Sequence, residues 1–127
     1  MKQIIKTSHA PKAIGTYSQG VKVGNTVFLS GQIPLDPRTM EVIEGSFKDQ
    51  VRRVFDNLVA VTTAAGGDLT HVVKLTIYLT DMNCFSSVNE MMSDYFQPPY
   101  PARAVVGVTE LPKGVAVEIE AILVLGE

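Results

Sequence analysis

Hydrophobic and polar positions along this chain follow two periods, and the changes of period divide it into elements. Ile4-Ile5 reads as a short first strand. Ser18 to Val23 and Thr26 to Ser30 read as the arms of a hairpin, with Gly24-Asn25 supplying positive φ at the turn. The stretch Gly31 to Arg38 carries an early glycine and two prolines, which predicts an irregular connection. From Ser46 the period becomes helical: Phe47, Val51, Val54, Phe55, Leu58 and Val61 fall on one stripe, while Lys48, Asp49, Arg52, Arg53 and Asp56 take the wet face. Ser46-Phe47-Lys48-Asp49 has the form of a capping box with Asp in place of Glu or Gln, and Gly66-Gly67 suits the far end. His71 to Leu79, rich in Val, Ile and Tyr, is a strand. Asp81 then stands where it would cap a second helix, with Phe85, Val88, Met92, Tyr95 and Phe96 as its core stripe. Two β-rich runs close the chain, Ala102 to Val108 and Val115 to Val124. The turn Leu111-Pro112-Lys113-Gly114 between them predicts a hairpin or closely paired strands.

The order β-β-β-α-β-α-β-β predicts one α+β domain over residues 1–127, a mixed six-stranded sheet with two helices on one face. In the last strand Val115, Val117, Ile119, Ala121 and Leu123 suit the helices, and Ala116, Glu118, Glu120, Ile122 and Val124 point the other way. Two helices cover one side of a sheet only. The second face, expected to carry Val105, Ile122 and Val124, is therefore predicted to meet another subunit.

Arg103 and Glu118 each set a charge inside an otherwise apolar strand. Two readings fit. In one, Arg103 pairs structurally with Glu118 or Glu120, a contact whose loss costs roughly 3–5 kcal/mol when buried. In the other, Arg103 forks onto a substrate carboxylate and a glutamate handles protons or water.

Composition narrows the function classes. The chain has 127 residues, 46% of them hydrophobic, enough for a substantial core. A net charge of −2 without a basic cluster argues against nucleic acid as a partner. No apolar run approaches the ~20 residues of a membrane helix, and the N-terminus lacks the apolar stretch of a signal peptide. The single cysteine, Cys84, fits a reducing, cytoplasmic setting. His9 and His71 stand far apart with no metal-ligand spacing, and there is no phosphate-binding glycine fingerprint, so neither metal nor cofactor is expected.

Several short motifs occur in a fixed order: Ala10-Pro11, Gly15-x-Tyr17-Ser18-Gln19-Gly20, Ser30-Gly31-Gln32-Ile33-Pro34, Asp36-Pro37, Val88-Asn89, Pro101-Ala102-Arg103, Leu111-Pro112-Lys113-Gly114 and Glu118-Ile119-Glu120-Ala121. Together they span nearly the whole chain and resemble the reactive-intermediate deaminase (RidA/YjgF) family. The resemblance implies a chorismate-mutase-like fold and a homotrimer with sites between subunits. It also implies hydrolysis of the enamines or imines released by pyridoxal-phosphate enzymes, giving 2-oxo acids and ammonium. On this reading Arg103 binds the substrate carboxylate and Glu118 positions or deprotonates the water. Tyr17, Ser30, Gly31, Asn89 and Val105 line the cleft, the last through its backbone. A non-catalytic trimeric sensor or carrier of small 2-oxo acids is the rival, with Arg103 used for affinity alone. Two positions depart from the family pattern. Val105 stands where many relatives carry cysteine, and Met40 stands where a glycine often ends the turn.

Overall fold

The computed structural model describes residues 1–126. Its strands are β1 (Lys2–Ile5), β2 (Gly20–Val23), β3 (Thr26–Gln32), β4 (Val72–Leu79), β5 (Ala102–Gly107) and β6 (Val117–Val124). Its helices are α1 (Phe47–Ala64) and α2 (Phe85–Tyr95). The six strands form one sheet in the order β1-β2-β3-β6-β4-β5, antiparallel except for the parallel pair β4–β5. The α+β reading, a mixed sheet of six strands with two helices on one face, therefore describes the molecule.

Local chemistry sets the ends of the elements. The Ser46 side chain accepts from the Asp49 N–H at 3.2 Å, and the Asp49 carboxylate accepts from the Ser46 N–H at 3.1 Å. Asp thus completes the capping box in the absence of Glu. At the other end of α1 the chain turns through Gly66 at φ 91°, and Gly67 N–H donates to Thr62 C=O. Gly24 supplies the positive φ of the β2–β3 turn. Asp81 caps a short 3-10 turn, Met82–Cys84, rather than α2 itself, which begins at Phe85 without a side-chain cap.

The core lies between the helices and one sheet face. Val51, Val54, Phe55, Leu58 and Val61 of α1 meet Val27, Leu29, Leu75, Ile77, Leu79, Val117, Ile119, Ala121 and Leu123, all buried. Phe55 stacks on Tyr95 at 4.9 Å and meets Phe96 edge-on at 5.9 Å, which joins the two helices.

Besides the Asp81 cap, four sequence expectations need correction. The runs around Leu111–Gly114 are not paired with each other: β4 lies between β5 and β6. The chain leaving β5 crosses β4 and returns antiparallel to it, so β6 gains two partners in the sheet centre, as suits its fully apolar side. Second, β3 continues to Gln32, because a register shift between Leu29 and Gln32 lets the strand absorb Gly31 and still pair Gln32 with Ile119. Third, Val105 is opposite Ile77 and packs against the core, so the open face of β5 carries Ala102, Ala104 and Val106 instead. Fourth, Phe85 is 37% exposed and lies outside the core, whereas Met91 is buried.

The open face is half apolar. Phe28, Val106 and Val124 are exposed there, beside the half-buried Ile122, Glu118, Glu120 and Tyr78.

Candidate functional site

The sheet holds Arg103 and Glu118 apart. Arg103 is paired in register with Leu75 and shares its helix-side face, while Glu118 is opposite Tyr78 on the open face. With a whole strand between them and their side chains on opposite sides, no ion pair forms within the chain. Arg103 meets no carboxylate at ion-pair distance among the described residues, and Glu120 takes its hydrogen bond from Tyr78 Oη at 2.7 Å. The structural salt bridge to Glu118 or Glu120 is thereby excluded in the single chain.

Arg103 lies in a pocket of about 450 Å³ together with Asn89, Met92, Ser93, Tyr100 and Pro101. Its Nη1 donates to Asn89 Oδ1 at 2.8 Å and approaches Met92 Sδ at 3.4 Å. Asn89 thus accepts from the arginine through its side-chain oxygen.

Glu118 belongs to a second pocket, of about 610 Å³, with Tyr17, Ser30 and Gly31. Lys12 and Lys113 also border this pocket, and Ile14, Ile33, Leu35 and Met40 give it an apolar wall. Met40 takes φ 62°, the left-handed conformation that a glycine would adopt freely. Burial pushes the Glu118 carboxyl above its ordinary value, and the charge of Glu120 on the same strand face adds to the effect. A half-buried carboxylate with such a shift, in a cleft, has the character of a proton-handling group.

Backbone and side chains build this pocket in specific ways. Ser30 Oγ donates to Ser18 C=O at 2.5 Å, and Tyr17 Oη accepts from Ile14 N–H at 3.4 Å. Gly31 faces the glutamate: a Cβ there would stand 2.9 Å from Glu118 Cδ and 3.1 Å from Cγ. The glycine is therefore what leaves room for the carboxylate.

Two residues that the sequence reading passed over hold the pocket walls. Gln19 is 3% exposed; its Nε2 donates to Ala10 C=O at 3.3 Å and to Pro11 C=O at 2.7 Å, and its Oε1 accepts from Thr7 N–H at 2.7 Å. Asn57 is fully buried and donates to the carbonyls of Ile33 at 3.3 Å and Leu35 at 3.0 Å. Asn57 had a legible signal, since it occupies a position in the apolar stripe of α1 between Val54 and Leu58. A buried amide must find partners, and the irregular loop supplies them.

The candidate residues thus fall into two groups, Tyr17, Ser30, Gly31 and Glu118 in one pocket and Asn89 and Arg103 in the other. Val105 lines neither; its side chain packs on the core, while its strand is an edge of the sheet. Among the described residues no group of three His, Cys, Asp or Glu could hold a metal ion, and no helix is long and apolar enough to cross a membrane.

Fold and pockets together define a small α+β protein with an arginine-lined pocket and a carboxylate-lined pocket. The family model described as Endoribonuclease L-PSP matches residues 7–125. A RutC family protein of Pyrococcus horikoshii is 52% identical over 96% of this chain and 97% of its own length. A protein of Dermatophagoides farinae named 2-iminobutanoate/2-iminopropanoate deaminase is 48% identical over 98% of this chain and 97% of its own. The crystal structure of RidA from an Antarctic Psychrobacter superposes with a TM-score of 0.93 at 54% identity, covering 97% of this chain and 99% of that one. E. coli TdcF, crystallised with bound serine, gives a TM-score of 0.92 at 45% identity, covering 98% and 99%. The chain belongs to the RidA (YjgF) family.

Proposed function

We propose that this protein is a 2-iminobutanoate/2-iminopropanoate deaminase that works as a homotrimer, with each site shared between two subunits. The observation that carries the reading is the division of the candidate residues between two pockets on opposite faces of one sheet. One chain does not bring Arg103 to Glu118, whereas a second copy seated on the open face can. The apolar residues Phe28, Val106, Ile122 and Val124 on that face suit burial against another copy. Support for the chemistry comes from the deaminase relative and from the amino acid, itself a carboxylate, bound in the TdcF structure.

In this mechanism the planar guanidinium of Arg103 takes the substrate carboxylate through paired N–H donors. Glu118 of the neighbouring copy orients a water towards the C=N carbon and accepts its proton as the C–O bond forms. That proton passes to nitrogen to give the carbinolamine. The carbinolamine hydroxyl then gives up its own proton, the amine takes one up, and the C–N bond breaks as C=O forms. A 2-oxo acid remains, and the ammonia released becomes ammonium by taking a proton from solvent. Imines are already electrophilic, so carboxylate anchoring and base assistance of roughly 10²–10⁴-fold suit the task without a covalent nucleophile. Tyr17 and the Gly31 backbone would border the water and the imine nitrogen, and Ser30 would hold the loop that carries Tyr17.

The deciding experiment couples the purified protein to a serine/threonine dehydratase and follows ammonium or 2-oxo-acid release above the spontaneous rate. Faster release supports the deaminase. Binding of a 2-oxo acid without faster release would turn the reading to the sensor. The assembly has its own test: light scattering at micromolar concentration should give three times the chain mass, with more than ~1,000 Å² buried at each interface. A monomer mass would rule out the shared site.

Gly31→Ala should leave the melting temperature near the parent's and lower turnover by about 10²-fold, because the added Cβ displaces the Glu118 side chain. Parent-like turnover in Gly31→Ala would show that the carboxylate need not occupy the position seen here.

A further inference from the structure

We infer that one face of α2, presenting Phe85, Asn89 and Met92, is a clamp that orients the Arg103 guanidinium for its carboxylate ligand, which makes Phe85 and Met92 positioning residues for the reaction. The inference rests on the deaminase reading and adds to it residues that work through the arginine. Three contacts carry it. Nη1 of Arg103 donates to Asn89 Oδ1 at 2.8 Å, the same nitrogen lies 3.4 Å from Met92 Sδ, and the guanidinium carbon stands 5.2 Å from the Phe85 ring centroid.

The spacing is that of one helix face, since 85, 89 and 92 stand at i, i+4 and i+7. Phe85 belongs to α2 yet stays 37% exposed outside the core, and the guanidinium over its ring is the contact that its position provides. Arginine has a long, freely rotating stem. Here its nitrogen nearest the helix is taken by an amide oxygen and a thioether, and one of its flat faces by an aromatic ring. Among the described residues, Nε and Nη2 donate to no protein acceptor. Those two parallel N–H groups form the edge that matches a carboxylate bidentately. The clamp therefore selects which edge of the fork is offered, and it does so before the ligand arrives. Asn89, placed by the sequence among the substrate-binding residues, has its side-chain oxygen committed to Arg103 and belongs to the same clamp.

The test compares Phe85→Leu and Phe85→Tyr with the parent in the coupled imine assay and in a pyruvate titration. Phe85→Leu removes the ring and should raise KM and the pyruvate Kd about three- to tenfold, with kcat within about twofold. Phe85→Tyr keeps a ring and should restore both constants to the parent values. A merely structural role would lower the melting temperature and the amount of active protein while leaving KM and Kd where they were. Should Phe85→Leu melt well below the parent, Met92→Leu carries the test, because it conserves volume and removes only the sulfur. Its KM should rise in the same sense. A parent that turns over imines while Phe85→Leu and Met92→Leu keep its KM and Kd overturns the clamp alone. A parent that accelerates no imine hydrolysis overturns the deaminase reading and the clamp together.

Discussion

Arg103→Ala should lose at least about 10²-fold in kcat/KM and its measurable affinity for 2-oxo acids, while melting within about 1 kcal/mol of the parent. The two halves of this expectation have separate causes. Removing one partner of a hydrogen-bonded ligand–protein ion pair costs roughly 2–5 kcal/mol of binding, so anion recognition collapses. The free protein loses little, because Arg103 is exposed, meets no carboxylate among the described residues, and gives up only the contacts to Asn89, Met92 and Phe85. A buried salt bridge would have cost roughly 3–5 kcal/mol of stability on the same truncation. Arg103→Lys should recover little binding, since one ammonium does not reproduce two parallel donors. Parallel measurements of deaminase rate, 2-oxo-acid Kd and melting temperature decide the matter. Normal ligand binding by an Arg103→Ala protein would sink the anion-site assignment.

Glu118→Gln should act on chemistry rather than on binding. Turnover is expected to fall by about 10²–10⁴-fold, the scale of general base assistance, while the affinity for a 2-oxo acid stays level or improves. Burial and the neighbouring Glu120 charge hold the Glu118 carboxyl above its ordinary value. The folded state therefore retains this proton at pH values where the unfolded chain has lost it. As pH rises from the ordinary carboxylate value through the raised one, this group's contribution to stability falls. At neutral pH the neutral amide removes that cost, so Glu118→Gln should melt no lower than the parent. The parent's turnover should rise with pH as Glu118 ionises, along a limb lying above the usual carboxylate range. Glu120→Gln should move that limb to lower pH by removing the adjacent charge, and Glu118→Gln should abolish it. A parent-like pH profile in Glu118→Gln would assign the base to another group.

Much of the local structure was legible in the pattern of residues. The stripe Val51–Val54–Phe55–Leu58–Val61 is buried along α1, the Ser46–Asp49 box closes its start, and Gly66-Gly67 follow its end. These features depend on interactions within a few residues, which a linear reading can follow. Phe85 was misread because helical period alone does not tell a core position from one that meets an arginine. Gln19 was missed because its partners, Thr7, Ala10 and Pro11, belong to a loop without a period.

The sequence by itself determined the set of elements, their α+β order, the family motifs, and the presence of an arginine and a glutamate inside apolar strands. Only the tertiary structure decided that β4 separates β5 from β6, that Val105 turns to the core, and that Arg103 and Glu118 point to opposite sides of the sheet. The physical reason lies in the two-residue period of a strand. Alternation says which side chains of one strand share a face, but relating that face to another strand requires their pairing register. That register is set by hydrogen bonds and packing between segments distant in sequence, here Leu75 beside Arg103 and Tyr78 beside Glu118.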